Sequence, residues 1–212
     1  MHAPKGSLRL FAVLFLVGLP LAANAADDPS AVGAVDRVEN EAKIVAGDTV
    51  TPATIGTPVH ARDELCTGPE GRLRVTFRDD TVLTLGENAN VIIDRFVYDP
   101  EQNVGETLIR TTKGAFLFAS GRIKGLKQHS IAVSTPVADV GVRGTQFWGG
   151  PLDQFGVLVL EGEITVSNQA GSVALSGVGQ GTDVPSPLDP PGPVKAWSED
   201  KIARALATVA LH

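Results

Sequence analysis

Two acidic side chains two positions apart are the residues of this chain best placed to do chemistry. Glu161 and Glu163 fall on one side of a predicted strand, and glycosidases use such a pair of carboxylates. Trp148, beside Gly149 and Gly150, could stack on a sugar in such a site. Alternate acidic residues are, however, common on a solvated strand face. We therefore predict that the chain is not an enzyme, with a carbohydrate-active enzyme as the alternative if a cleft joins the glutamates to Trp148.

The remaining residues of types that catalyse reactions or bind metals lack the partner residues that such sites need. His60 and His129 lie far apart, and neither has a second ligand at metal-binding spacing. Cys66 is the only cysteine, so it forms no intramolecular disulfide, and we expect a small buried apolar residue there. Asp79 and Asp80 fit a turn that caps its own backbone better than a calcium loop. We predict no catalytic, metal-binding or cofactor-binding residue.

The segment that would position the glutamates has the alternation of a strand half in water. In residues 157–167, apolar positions such as Leu158 and Ile164 alternate with polar ones. Gly162 interrupts the alternation, which indicates a β-bulge or a close backbone approach.

Arg143 stands in the preceding strand between Gly141-Val142 and Gly144-Thr145. Backbone can approach closely at glycine, and a guanidinium there would seek a carboxylate or a carbonyl. We predict that Arg143 is a structural keystone, with Asp139 and Glu161 as the first partners to check. Trp148, next to a glycine-rich turn, is predicted to be an exposed recognition residue, whereas Phe147 is expected in the core.

Short apolar or alternating runs, separated by Gly, Pro, Asp and Asn, recur from residue 35 to residue 184. In one of them, Leu73, Val75 and Phe77 are predicted to share one face of a strand and the polar residues between them the other. Such dense spacing without a helical pattern predicts an all-β domain over 35–184. Two architectures fit this pattern, a β-solenoid and a two-sheet β-sandwich.

Two stretches, TPVADVGVRGTQF and VLVLEGEITVSNQAGSVALSGVGQGTDV, resemble the core of the FecR-type periplasmic domain. The matching positions are Thr135, Pro136, Val142, Arg143, Gly144, Thr145, Leu160, Glu161, Gly162, Asn168, Gly171, Gly179 and Gln180. A weaker likeness over residues 65–94 extends the resemblance to Ala46–Val184. It implies a β-helix-like stack, so the solenoid is the preferred architecture and the sandwich is the alternative.

The start of the chain has the features of a secretory signal. Lys5 and Arg9 accompany an apolar run over 8–22, and Ala23-Asn24-Ala25 fits the pattern that signal peptidase cleaves. We predict a signal peptide at 1–25 and a flexible mature N-terminus at 26–34. The run is short for a membrane anchor, which is the alternative. The predicted location is the periplasm, with secretion beyond the cell left open, and no transmembrane segment is expected in the mature chain.

The C-terminal segment divides into a proline-rich linker at 185–195 and a short amphipathic helix at 196–212. Ser198 is the predicted N-cap, and Ile202, Leu206 and Val209 form an apolar stripe. We expect the helix to pack on its own domain, with a partner or membrane surface as the alternative.

The charge balance and the resemblance together predict a function class. A net charge of −6 argues against a nucleic-acid partner. The sequence shows neither a cytoplasmic helical half nor an anchor, which favours an exported, non-enzymatic FecR-domain protein. Such a protein would act as a binding or scaffold module for another protein or a cell-envelope polymer. The alternative is a periplasmic signalling or sensor component of a FecR-like transmembrane regulatory system.

Overall fold

The computed structural model describes residues 28–212, and the predicted signal peptide at 1–25 lies outside them. The described strands are β1 (Gly33–Glu39), β2 (Ala42–Ala46), β3 (Thr49–Pro52), β4 (Pro58–Val59), β5 (Glu64–Thr67), β6 (Arg72–Phe77), β7 (Val82–Leu85), β8 (Asn90–Asp99), β9 (Val104–Lys113), β10 (Phe116–Ala119), β11 (Gln128–Ser134), β12 (Asp139–Pro151), β13 (Phe155–Asn168), β14 (Gly171–Leu175), β15 (Gln180–Val184) and β16 (Lys195–Ala196). A short 3-10 helix, Arg122–Gly125, lies between β10 and β11, and helix α1, Glu199–Ala207, follows β16.

The strands form one curled sheet in the order β3-β2-β5-β8-β9-β11-β12-β10-β7-β6-β1-β4, with β13 to β16 attached through β12. The pairings are antiparallel except for the parallel pair β9–β11. The structure therefore confirms a mostly β fold with a short C-terminal helix. It does not confirm the predicted solenoid, because successive coils of a solenoid would stack their strands in parallel.

Alternation of side chains builds the core on the concave side of the sheet. In β6, Leu73, Val75 and Phe77 are buried while the residues between them are half-buried, as the sequence predicts. Phe77 stacks on Phe96 with 5.0 Å between ring centroids. The same pattern in most of the other strands gives one continuous apolar cluster.

The first described residues pack against this core. Ala31 and Val32 are buried, and the Val32 N–H donates to the carbonyl of Val59 at 2.8 Å. Strand β1 begins at Gly33, two residues before the predicted domain boundary. The last residues of the segment predicted to be flexible are therefore held in place.

The proline-rich segment and α1 both fold back on the domain. The Gly192 N–H donates to Asp183 O at 2.8 Å, so the segment lies along β15 although residues 185–194 form neither strand nor helix. Ser198 caps α1 by accepting a hydrogen bond from the Lys201 N–H, as predicted.

A second apolar cluster forms between α1 and the outer face of the sheet, and its buried members are Ala115, Trp148, Leu158, Trp197, Ala205 and Val209. The prediction that the helix packs on its own domain is confirmed. No helix within residues 28–212 is long and apolar enough to cross a membrane.

Candidate functional site

A paired irregularity in β12 and β13 shapes the region around the Val-Arg-Gly-Thr sequence. Gly144 and Gly162 both have positive φ angles, 61° and 79°, and the β12–β13 register shifts between Arg143 and Gln146. A Cβ on Gly162 would lie 2.5 Å from the carbonyl oxygen of Gly144, so only glycine fits. The buried Thr145 hydroxyl donates to Glu163 O at 2.7 Å and ties the two strands together. The sequence predicted a β-bulge or a close backbone approach at Gly162, and the structure has both.

Beside this bulge, β11 and β12 separate. Their ladder runs from Ser134–Asp139 to Ala132–Gly141 and stops there, and β10 pairs with β12 only from Gln146 onward. A groove of about 630 Å³ opens at the separation. Its lining residues are Lys124, His129, Ser130, Ile131, Gly141, Val142, Arg143, Gly144 and Thr165.

The 3-10 helix forms one wall of the groove, and Asp79 holds it in place. Asp79 is fully buried and caps its own turn by accepting hydrogen bonds from the Thr81 N–H and hydroxyl, as predicted. The same carboxylate accepts from the Ile123 N–H at 3.2 Å, and the Asp79 carbonyl accepts from the Arg122 N–H at 2.6 Å. These bonds place Lys124 over Gly144, with the Lys124 Cδ atom 3.3 Å from the position of a Cβ on that glycine.

The groove is rimmed by basic side chains. Lys124, His129 and Arg143 are all exposed, and no carboxylate within residues 28–212 lies at ion-pair distance from any of them. The Nδ1–H of His129 donates to Leu126 O at 2.6 Å, which orients the ring. Glu163 lies opposite Arg143 in the β12–β13 ladder but is not a lining residue. The groove therefore presents positive charge on a chain that is acidic as a whole.

The structure does not support the prediction that Arg143 is a structural keystone. Its side chain is exposed, and neither Asp139 nor Glu161 forms an ion pair with it within the described part of the chain. The physical reason is strand alternation: the side chain of Val142 points into the core, so that of Arg143 points to the opposite, exposed face. Thr145 and the two glycines carry the structural role that was expected of the arginine.

The other residues of the FecR-like pattern hold turns and strands. The Thr135 hydroxyl accepts from the Ala138 N–H and donates to the Ala138 carbonyl, which closes the turn containing the exposed Pro136. Val142 is buried in the core. The side-chain oxygen of Asn168 accepts from the Gly171 N–H in the next turn.

Trp148 is not an exposed recognition residue; this prediction was wrong. The side chain is 0% exposed, and its Nε1–H donates to the Thr208 hydroxyl at 3.0 Å. Helix α1 covers this part of β12, and the ring packs against Trp197 with 6.1 Å between centroids. Phe147 is buried on the opposite face, as expected. Because Trp148 is enclosed, it cannot line a sugar-binding cleft with the exposed Glu161.

Outside the groove, His60 lies between two aspartates, Asp28 and Asp63. The His60 Nε2 atom lies 2.8 Å from Asp28 Oδ2, and Nδ1 lies 3.4 Å from Asp63 Oδ2. The hydrogen bond that His60 donates to the Asp28 carboxylate raises the pKa of His60. Hydrogen bonds from Ser30 and His60 lower the pKa of Asp28. Within residues 28–212, no group of three or more His, Cys, Asp or Glu side chains could hold a metal ion.

Cys66 is half-buried, which is less than the sequence predicts. Its Sγ atom lies 3.7 Å from Glu64 Oε1. Burial and the charge of Glu64 raise the pKa of the thiol, so it is a poor nucleophile at neutral pH.

Sequence reasoning did not find Lys124 and His129 as neighbours of Arg143. They stand well before the arginine in the chain, and no pattern joins them to it. The closest signal was the basic cluster of residues 122–127, which includes Arg122, Lys124 and Lys127.

A family model described as "FecR protein" matches residues 63–165. This part of the chain is a FecR domain. The match lies inside the predicted span of Ala46–Val184, and all the residues that line the groove fall within it. A search of curated proteins found no match.

The FecR domain also has similar solved structures. Two crystal structures of "a putative anti-sigma factor from Parabacteroides distasonis ATCC 8503" match with TM-scores of 0.51 and 0.52 and sequence identities of 19% and 20%. The aligned region covers 68% of this chain and 64% and 63% of those chains, less than two thirds of each. At these identities, the similarity shows the fold alone.

Proposed function

We propose that this chain is a signalling component of a FecR-like regulatory system and that it acts by binding another protein, without catalysis. The observation that carries the proposal is the FecR match over 63–165, which includes the whole basic groove. The description of the Parabacteroides proteins as anti-sigma factors adds support for a regulatory role. Signalling is therefore better supported than the free-standing scaffold module that the sequence favoured.

We further propose that the chain works in the periplasm and passes its signal through a separate membrane protein. The support for this location is the basic start, the apolar run and the Ala-x-Ala sequence within the first 25 residues. The absence of catalysis is also a proposal, and the support for it is that Trp148 is buried and so cannot share a cleft with the exposed Glu161.

Deletion of the gene in its native host tests the regulatory role. We expect transcripts of a limited set of genes to change and to return to normal when the intact chain is supplied from a plasmid. Unchanged transcripts, together with copurification of the chain with an envelope polymer, would overturn this proposal in favour of the scaffold module.

A further inference from the structure

The separation of β11 and β12 leaves two strand edges facing each other across the groove. Residues 128–131 of β11 pair with β9 on one side and have no ladder to β12 on the other. In β12, Val142 and Arg143 pair with β13 but have no ladder to β11 or β10. Unpaired strand edges are sites where an extended peptide can add main-chain hydrogen bonds.

The groove between these edges has room for such a peptide. Its volume is about 630 Å³, and the nearest atom to the Cβ position of Gly141, which lines it, is 3.9 Å away. Ile131 and Val142 both line the groove, and both belong to the unpaired strand edges. The Thr145 N–H is already bonded to the Ser120 hydroxyl, so this bond closes the groove at its β10 end.

The positive charge of the groove favours peptides that carry carboxylates. Lys124 and Arg143 supply two positive charges, and the ring of His129, whose Nδ1–H donates to Leu126 O, also lines the groove. None of the lining residues is acidic. In an extended segment, alternate residues point to the same face. Carboxylates at alternate positions could therefore all accept charge-assisted hydrogen bonds from these basic groups.

We propose that this groove binds an extended, acidic segment of a partner protein, which adds as a short strand between β11 and β12. The inference rests on the proposed function, in which the domain works by protein recognition. Main-chain hydrogen bonds to the unpaired edges hold the peptide in line with β11 and β12. Lys124, His129 and Arg143 give preference to peptides with carboxylate side chains.

A binding assay with a synthetic peptide tests this assignment. The probe is a fluorescent hexapeptide of alternating threonine and glutamate, blocked at both ends, and binding to the purified full chain is followed by anisotropy. The comparison probes are a lysine version of the peptide, a version methylated on its backbone nitrogens, and citrate as a simple anion. The variant carries Lys124→Gln with Arg143→Gln. Its control carries Arg62→Gln with Lys113→Gln, two exposed cations outside the groove.

We expect the glutamate peptide to bind and the Lys124/Arg143 variant to bind it about tenfold or more weakly, since it lacks the charge-assisted bonds. The control variant should bind like the wild type, and both the lysine peptide and the backbone-methylated peptide should bind much more weakly. Equal binding by both variants, equal binding of the methylated peptide, citrate binding as tight as the peptide, or no peptide binding would each overturn the assignment. The transcript measurement does not use this peptide, so altered transcription with no peptide binding would overturn the groove assignment alone.

Discussion

The buried carboxylate of Asp79 accepts a hydrogen bond from the backbone N–H of Ile123, with 3.2 Å between Asp79 Oδ2 and Ile123 N. This bond joins the turn between β6 and β7 to the 3-10 helix. It thereby fixes the wall of the groove that carries Lys124.

Asp79→Ala should therefore destabilise the domain and loosen the groove. It leaves the buried Ile123 N–H without its side-chain acceptor, and such a loss costs about 1–3 kcal/mol in the free energy of unfolding. Urea unfolding measures the cost. Asp80→Asn is the matched control: Asp80 is exposed and has a φ of 66° that asparagine tolerates. Its side chain forms a surface ion pair with Arg122, which contributes little to stability. If the two variants unfolded at the same urea concentration, Asp79 would not be the anchor described.

Gly162→Ala should disrupt the bulge. The added methyl group would lie 2.5 Å from Gly144 O, and the φ of 79° is strained for alanine, so we expect a loss of about 1–3 kcal/mol. Gly125→Ala provides the comparison, because nothing lies within 4 Å of the new methyl group there. Thermal unfolding of both variants checks the prediction. A melting temperature for Gly162→Ala equal to that of Gly125→Ala would contradict it.

Trp148→Ala should be the most damaging of these substitutions. The side chain is fully buried between the sheet and α1, and removing it leaves a cavity at a cost of about 3–5 kcal/mol. Val178→Ala, at a site 77% exposed, should change stability by less than about 0.5 kcal/mol. Denaturant unfolding followed by circular dichroism measures both. A nearly neutral Trp148→Ala variant would restore the surface role that the sequence suggested.

The interaction between His60 and Asp28 should make stability depend on pH. The pKa of His60 is raised above its usual value of about 6.5, so its contribution is complete below that pH and is lost as the pH rises through the raised value. The pKa of Asp28 is lowered, so its contribution is present above its usual range and is lost as the pH falls. Melting temperatures at about pH 5.5 and about pH 8.5 should differ less in His60→Gln than in the wild type. An identical pH dependence in the two proteins would show that this contact contributes nothing measurable.

The elements that follow local rules could be predicted from the sequence. The alternation in β6, the Ser198 cap and the bulge at Gly162 each depend on a few neighbouring residues, and the structure confirms all three. The alternation failed at Val157, Leu158 and Val159, which are all buried. Here both faces of the sheet are covered, one by the core and the other by α1, and the sequence pattern does not show which strand a distant helix will cover.

The candidate site could be predicted only in part. The sequence singled out Arg143 and its glycines, but it did not show that the guanidinium is exposed and forms no ion pair within residues 28–212. Lys124 reaches the groove through the hydrogen bonds of Asp79 to the 3-10 helix. Because that contact joins distant parts of the chain, no local pattern contains it.

The most direct test of a regulatory role through this groove is transcription in the deletion strain supplied with variant chains. Lys124→Gln with Arg143→Gln removes two exposed cations, so the protein should accumulate normally and melt like the wild type. We predict that it nevertheless fails to restore the wild-type transcripts, whereas the Arg62→Gln, Lys113→Gln control restores them. Full restoration by the Lys124/Arg143 variant, at an equal protein level, would contradict the account.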